Sequence, residues 1–469
     1  MMQAFALELT VAGWVLLLLM WDVVTRDTVQ HTAWRLPALG ILVSAGVLVW
    51  EQAWVGHVPD PMFVLDRFAW TFKGFFLLTT GVVILMTRTF TRQLGVRLAE
   101  FYLLIFTALL GMLVLASIND LLLLFIGIEL LTFSLYVMAA YLRQNARSIE
   151  AGMKYLILGS ISSGFLVYGI SLLYGTSGGT NFEVLRSAFS QGMPPLAQAG
   201  LLLVLAALGF KIAMVPFQLW VPDVYEGAPA PVVALLSVGS KMAGVVALLR
   251  VLYGVFLPAH ALWAPILAVL SAATILYGNL AALPQRNIKR LLGYSSIGHA
   301  GYLLMGLSTA TSFGAIAVGF YLLAYLFGNL AVFFVVVVAS GALEGDEIDD
   351  YSGLAKRSPL LAATMFIGLL SLAGVPPLAG FVGKLLVLMA TINAGTMWLA
   401  TIGALNVAVS LYYYLIVVKR MYTGTPANSE PIRVDGLTRA ALLALAVGIL
   451  AVGIFQEPFL RHVLAAFTP

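Results

Sequence analysis

The chain has 469 residues, a formal net charge of +4, 61% hydrophobic residues, only 10% charged ones and no cysteine. A soluble domain carries about 25% charged residues, so too little polar surface is available here to cover a globule in water, and lipid must cover most of it. The missing cysteines exclude disulfides, thiolate-held iron–sulfur clusters and cysteine nucleophiles. Five scattered histidines without an HExxH arrangement argue against a metal or haem site, and the absence of Gly-rich phosphate-binding fingerprints argues against a nucleotide.

The apolar runs have the length of transmembrane helices and lack the alternation of a membrane barrel, so the fold class is an all-α polytopic membrane protein. About fourteen helical spans are expected, with cores at 9–24, 36–53, 68–87, 99–117, 120–142, 152–175, 198–220, 229–253, 261–282, 291–309, 314–341, 359–394, 397–420 and 438–456. The first span lacks a basic region ahead of it and reads as retained rather than cleaved. Asn119 and Asp120 are expected to cap the fifth span. The run GYSSIGHAGY in the tenth suggests a hydrated, irregular helix. An acidic run (Glu344, Asp346, Glu347, Asp349, Asp350) falls in the longest polar loop, 341–358.

Basic residues concentrate in the odd-numbered loops: Arg26 and Arg35; Arg88, Arg92 and Arg97; Arg143 and Arg147; Arg286, Lys289 and Arg290; Lys356 and Arg357; Lys419, Arg420, Arg433 and Arg439. Even-numbered loops hold little beyond Arg67 and Arg186. The surplus of basic residues therefore reports topology, with odd loops cytoplasmic and both termini on the opposite, periplasmic side.

Two spans are interrupted, the seventh by Pro216 and Pro222 and the twelfth by Pro376 and Pro377. Interior prolines free backbone carbonyls that in lipid must face protein or water. The breaks lie five spans apart, each close to a lysine in an apolar run. That pattern points to two five-helix units related by inversion, spans 4–8 and 9–13. The expected organisation is a three-helix segment at 1–98, repeats at 99–253 and 254–420, and a final helix and tail at 421–469.

Four charges stand alone in membrane-length apolar runs: Glu129, Lys211, Lys241 and Lys384. An ionisable residue near mid-membrane costs roughly 2.5–3.5 kcal/mol on insertion scales, so it marks function by default. Burial penalises the charged form of a lysine and a nearby carboxylate favours it, and a lysine balanced between the two exchanges a proton near neutral pH, as arginine does not. Lys211 and Lys241 are the expected partners of Glu129. A static ion pair would explain Glu129 and one lysine but not the excess of lysines. His299 has a side chain suited to proton relay, with Tyr294, Ser295 and Ser296 able to hold water beside it. Lys154 lies nearer the cytoplasmic end of its span, within reach of Glu150 and the surface. Asp223 and Glu226 are expected to shape the loop after the first break. Tyr412, Tyr413 and Tyr414 read as packing and interface belt.

The run GFKIAMVPFQLWVPDVYEGAPAPVVALLSVGSKMAG, together with GIELLTFSLYVM, NIKRLLGYSSIGHAGY and GVPPLAGFVGKLLVL, resembles the antiporter-like membrane subunits of respiratory complex I and of Mrp cation/proton antiporters. The resemblance covers nearly the whole chain and is strongest to the subunit N family of NADH-quinone oxidoreductases. The histidines that follow the proline-rich turn in the other large subunits are absent, and the chain stops too soon after the fourteenth span for a long lateral helix. Fourteen spans match the bacterial form of the family. The resemblance implies two inverted five-helix repeats and proton transfer through Glu129 paired with Lys211, then Lys241, His299 and Lys384, with Lys154 as a sixth-span lysine. It implies no cofactor in this chain, with NAD, FMN, iron–sulfur clusters and quinone in partner subunits, and neighbouring antiporter-like subunits in a bacterial inner membrane. A subunit of an Mrp-type antiporter is the alternative; co-purification with NADH-oxidising partners would separate the two. A structural scaffold is a third reading.

Overall fold

The computed structural model describes residues 5–24, 33–56, 60–94, 98–343, 345–426 and 428–467, with the side chains of 91–94 left aside. Arg26, Arg97 and Glu344, and the side chain of Arg92, lie outside the described residues. The helices in chain order are α1 Ala6–Val24, α2 Arg35–Glu51, α3 Arg67–Leu94, α4 Leu98–Ala116, α5 Leu121–Ala139, α6 Ala146–Ser177, α7 Phe182–Ala188, α8 Pro195–Ile212, α9 Val221–Gly227 and α10 Ala230–Leu235. They continue as α11 Lys241–Gly254, α12 His260–Ala282, α13 Ile288–Leu307, α14 Ser312–Ala339, α15 Leu354–Arg357, α16 Pro359–Ala373, α17 Ala379–Asn393, α18 Met397–Thr423, α19 Gly436–Ile454 and α20 Gln456–Phe467.

Among the described residues, twelve helical segments are long and apolar enough to cross a membrane, with α10 and α11 joined as one. The buried α13 and the broken pair α16–α17 complete the expected fourteen. Helix starts follow capping chemistry: the side chain of Asp120 accepts the Leu122 N–H at 2.7 Å, and Asn145, Asn287, Thr311 and Asp435 cap their helices in the same way.

The bundle is layered around one enclosed segment. Residues 230–249 are buried without interruption and α14 along most of its length, whereas most residues of α1, α2, α6 and α18 are only partly covered or exposed. Lys241 therefore sits on one of the most enclosed helices among the described residues.

Both expected interruptions are present. The seventh span ends at Ile212, where Ala213 adopts a left-handed φ of 65° that costs a non-glycine residue about 1 kcal/mol or more. The twelfth ends at Ala373, with Gly374 at φ 89° before α17 begins at Ala379. The peptide bonds Val215–Pro216 and Pro376–Pro377 are cis.

One expectation is corrected. The serine- and glycine-rich tenth span is a continuous α-helix, α13, and not an irregular one. Its glycines serve close packing. A Cβ on Gly278 of α12 would lie 2.3 Å from the backbone nitrogen of Gly298, and one on Gly301 would lie 2.7 Å from that of Ile275. The irregularity falls instead at Leu236–Ser240, a π-helical turn between α10 and α11 that leads directly into Lys241.

Gly278→Ala is expected to push α12 from α13 and to cost about 1–3 kcal/mol, read as a lower melting temperature and a smaller assembled fraction. Gly164→Ala, where a Cβ would meet nothing within 4 Å, is expected to leave both unchanged.

Candidate proton-transfer site

The three lysines singled out in the sequence are all buried. Their partners are oxygens of hydroxyls and carbonyls. Lys211, in the last turn of α8, donates to Thr132 Oγ1 of α5 at 2.7 Å, with its ammonium 5.4 Å from the Phe210 ring and 5.9 Å from the Tyr136 ring. Lys241 donates to both the carbonyl and the hydroxyl of Ser296 on α13. The Ser296 hydroxyl also meets the Tyr225 hydroxyl of α9 at 2.9 Å. Lys384 of α17 donates to the carbonyl of Ala373 at 2.9 Å and lies 4.9 Å from the Tyr302 ring. Ala373 closes α16, so the acceptor of Lys384 is a carbonyl released by the break.

The direct ion pair expected between Glu129 and Lys211 is not formed. Glu129 accepts a hydrogen bond from Ser163 of α6 at 2.5 Å, while Lys211 turns to Thr132 one helical turn away. Glu129 is part-exposed on the outer face of α5 in the isolated chain. Among the described residues none of the three lysines forms an ion pair with a carboxylate.

His299 is buried between two phenols, with Nδ1 2.6 Å from the Tyr321 hydroxyl of α14 and Nε2 3.3 Å from the Tyr414 hydroxyl of α18. The Tyr414 hydroxyl also bonds the Ser295 hydroxyl. A cavity of about 10 Å³, lined by His299, Tyr321, Tyr325, Ser371 and Lys384 among others, separates the imidazole from the Lys384 ammonium. That is room for about one water, and its lining offers the polar partners a water needs. Tyr325 spans the remaining interval, its ring 5.0 Å from the His299 ring and 5.9 Å from the Lys241 ammonium.

Lys154 stands apart. It is part-exposed and pairs with Glu150 at 2.7 Å and Asp223 at 2.6 Å. Arg290 joins Asp223 at 2.7 Å to Glu226 at 3.0 Å, and Arg147 lies 3.6 Å from Glu226. This network ties α6, α9 and α13 together just past the first break. Burial raises the Asp223 carboxyl, but hydrogen bonds from Lys154 and Arg290 outweigh it and hold the group below the usual carboxylate range.

The sequence reading missed Thr132, Ser163, Tyr321, Tyr325 and Tyr414. Tyr412 to Tyr414 read as one belt, yet Tyr412 is exposed while Tyr413 and Tyr414 are buried. Successive helical residues point about 100° apart, so a run of three cannot share one role.

The family described as NADH:quinone oxidoreductase/Mrp antiporter, transmembrane region, matches residues 117–410, which hold all the residues of the site except Tyr414. NADH-quinone oxidoreductase subunit N of Moorella thermoacetica is 43% identical over 403 residues, 85% of this chain and 84% of that protein. The chain belongs to this family. Within it, the similarity is to the subunit N form. A chain of respiratory complex I from Thermus thermophilus superposes with a TM-score of 0.84 at 32% identity, covering 98% of this chain and 99% of that one. A chain of the Mrp complex from Dietzia sp. shares the fold, with a TM-score of 0.88 at 23% identity over 100% of this chain and 97% of that one.

Asp223→Asn is expected to cost no more than about 1 kcal/mol, because the pairs are part-exposed, and the loss should shrink further at high salt. The depressed carboxyl contributes stability present above its unfolded pKa of about 3.9 and lost as pH falls below it. Thermal melts of wild type and Asp223→Asn should therefore differ at neutral pH and converge in acid.

Proposed function

We infer that this chain is a proton-translocating membrane subunit of an NADH:quinone oxidoreductase. The observation that carries the reading is the line of buried lysines held by neutral oxygens, with a water-sized cavity joining Lys384 to His299. Membership of the subunit N family supplies the enzyme. The Mrp-type alternative shares the fold, but the higher identities are to complex I subunits.

Each lysine can lose a proton and recover it, since its acceptors do not bind the charge permanently as a carboxylate would. Neutral His299 accepts at one ring nitrogen while donating at the other, so the pair of phenols around it forms a two-way relay. The proposed path runs from Glu129 and Ser163 to Lys211 and Thr132, then to Lys241 and Ser296, past Tyr325 to His299, and through the cavity to Lys384. Lys154 is assigned to the entrance, where its ion pairs hold it at the edge of the bundle.

Quinone reduction in other subunits drives these transfers by changing the charge near one end of the line. NAD, FMN, iron–sulfur clusters and quinone are assigned to partner subunits; for the clusters, the lack of cysteine in this chain supports that reading. The repeats are assigned to residues 99–253 and 254–420, between an N-terminal segment at 1–98 and a C-terminal one at 421–469. The breaks beside Lys211 and before Lys384 support that division. The distribution of Lys and Arg supports both termini on the periplasmic side of a bacterial inner membrane.

Lys241→Ala and Glu129→Ala are each expected to lower proton pumping and the coupled NADH:quinone activity in an assembled complex. Pumping and quinone reduction both at wild-type rates in these variants would overturn the assignment.

A further inference from the structure

A second group of buried charges lies in the N-terminal three helices, well outside the family-matched region. Glu8 belongs to the first turn of α1, Glu51 ends α2, and Lys73 lies in α3. All three are buried, Glu51 and Lys73 completely. The Lys73 ammonium sits 2.7 Å from Glu8 Oε1 and 3.8 Å from Glu51 Oε2, and 5.0 Å from the Phe63 ring. Glu51 Oε1 accepts the Leu7 N–H at 2.7 Å. The remaining oxygens, Glu8 Oε2 and Glu51 Oε2, are buried and accept no hydrogen bond.

The charges do not balance: two carboxylates share one ammonium. Several nearby charged groups on the described elements are engaged with other partners. Asp66 is bidentate with Arg250 at 2.7 Å, and Asp60 accepts the N–H groups of Met62 and Phe63. On α20, Arg461 pairs with Glu457 and His462 packs edge-on against Trp70. A buried carboxylate with no countercharge takes up a proton instead, and two carboxylates in one site do not both ionise. The ammonium already fills the space between the acids, which leaves a proton rather than a metal cation as the ligand.

We propose that Glu8, Glu51 and Lys73 form a second proton-holding site in which one exchangeable proton is shared by the two carboxylates, separate from the Lys211–Lys241–Lys384 line. A merely structural triad, with both acids ionised, would staple α1, α2 and α3 together without binding a proton.

The test uses charge counting in the purified, assembled complex, with infrared difference spectra of the carboxyl groups recorded across neutral pH. Glutamine mimics a protonated acid, so Glu51→Gln preserves the neutral cluster. Glu51→Gln is expected to assemble at the wild-type level and to lose one titrating carboxyl. Glu8→Gln is expected to do the same and serves if the first variant does not assemble. The double variant strands the ammonium and should lose assembly. The signal should persist in Lys241→Ala, so failure here and failure of the proton line are separable. An unchanged carboxyl titration in both single variants would overturn the proposal, as would single variants as defective as the double one.

Discussion

An ammonium enclosed by apolar helices needs oxygen acceptors, and a broken helix is a source of them. Every backbone carbonyl in such surroundings must find a donor. Where α16 stops at Ala373, its last carbonyls lose their intrahelical partners, and Lys384 reaches back across the break to take one of them. The same geometry shapes the neighbouring backbone. A Cβ on Gly374 would lie 2.9 Å from the Lys384 side chain, so the left-handed turn and the lysine occupy space that no other residue type there would leave free. The lysine and the break satisfy each other, and substitution of either would leave the other with a buried unpaired group.

Two styles of polar clustering coexist in the chain. At the helix ends, Lys154, Arg290, Asp223 and Glu226 form a part-exposed network in which opposite charges meet directly. Such contacts are adaptable and screened by salt. In the interior, the lysines on α8, α11 and α17 meet neutral oxygens and no carboxylate among the described residues. The first style fixes how α6, α9 and α13 sit together. The second leaves each ammonium free to change its state without breaking an ion pair.

Much of this was legible in the sequence. The length of the apolar runs gives the spans, Asp120 caps α5 as its residue type suggests, and the prolines mark both breaks. Isolation in an apolar run was enough to identify Lys211, Lys241 and Lys384 as buried. Their partners were not legible, because Thr132, Ser296 and Ala373 come from other helices and depend on how each helix is rotated. The Glu129–Lys211 pairing failed for the same reason: the right elements meet, but a turn of helix separates the side chains. The π-helical turn before Lys241 left no signal beyond a small Gly239–Ser240 pair. Glu8, Glu51 and Lys73 were missed because they lie near span ends, where a charge ordinarily reaches water.

The position of Glu129 bears on biogenesis. Its carboxylate lies on the outer face of α5, held by Ser163 and only part-covered by its own chain. An unassembled copy would present that acid to hydrocarbon, at a cost on the order of 2.5–3.5 kcal/mol. A neighbouring subunit packed over α5 and α6 would remove the exposure. Coverage of this one carboxylate would then distinguish an assembled chain from an unassembled one.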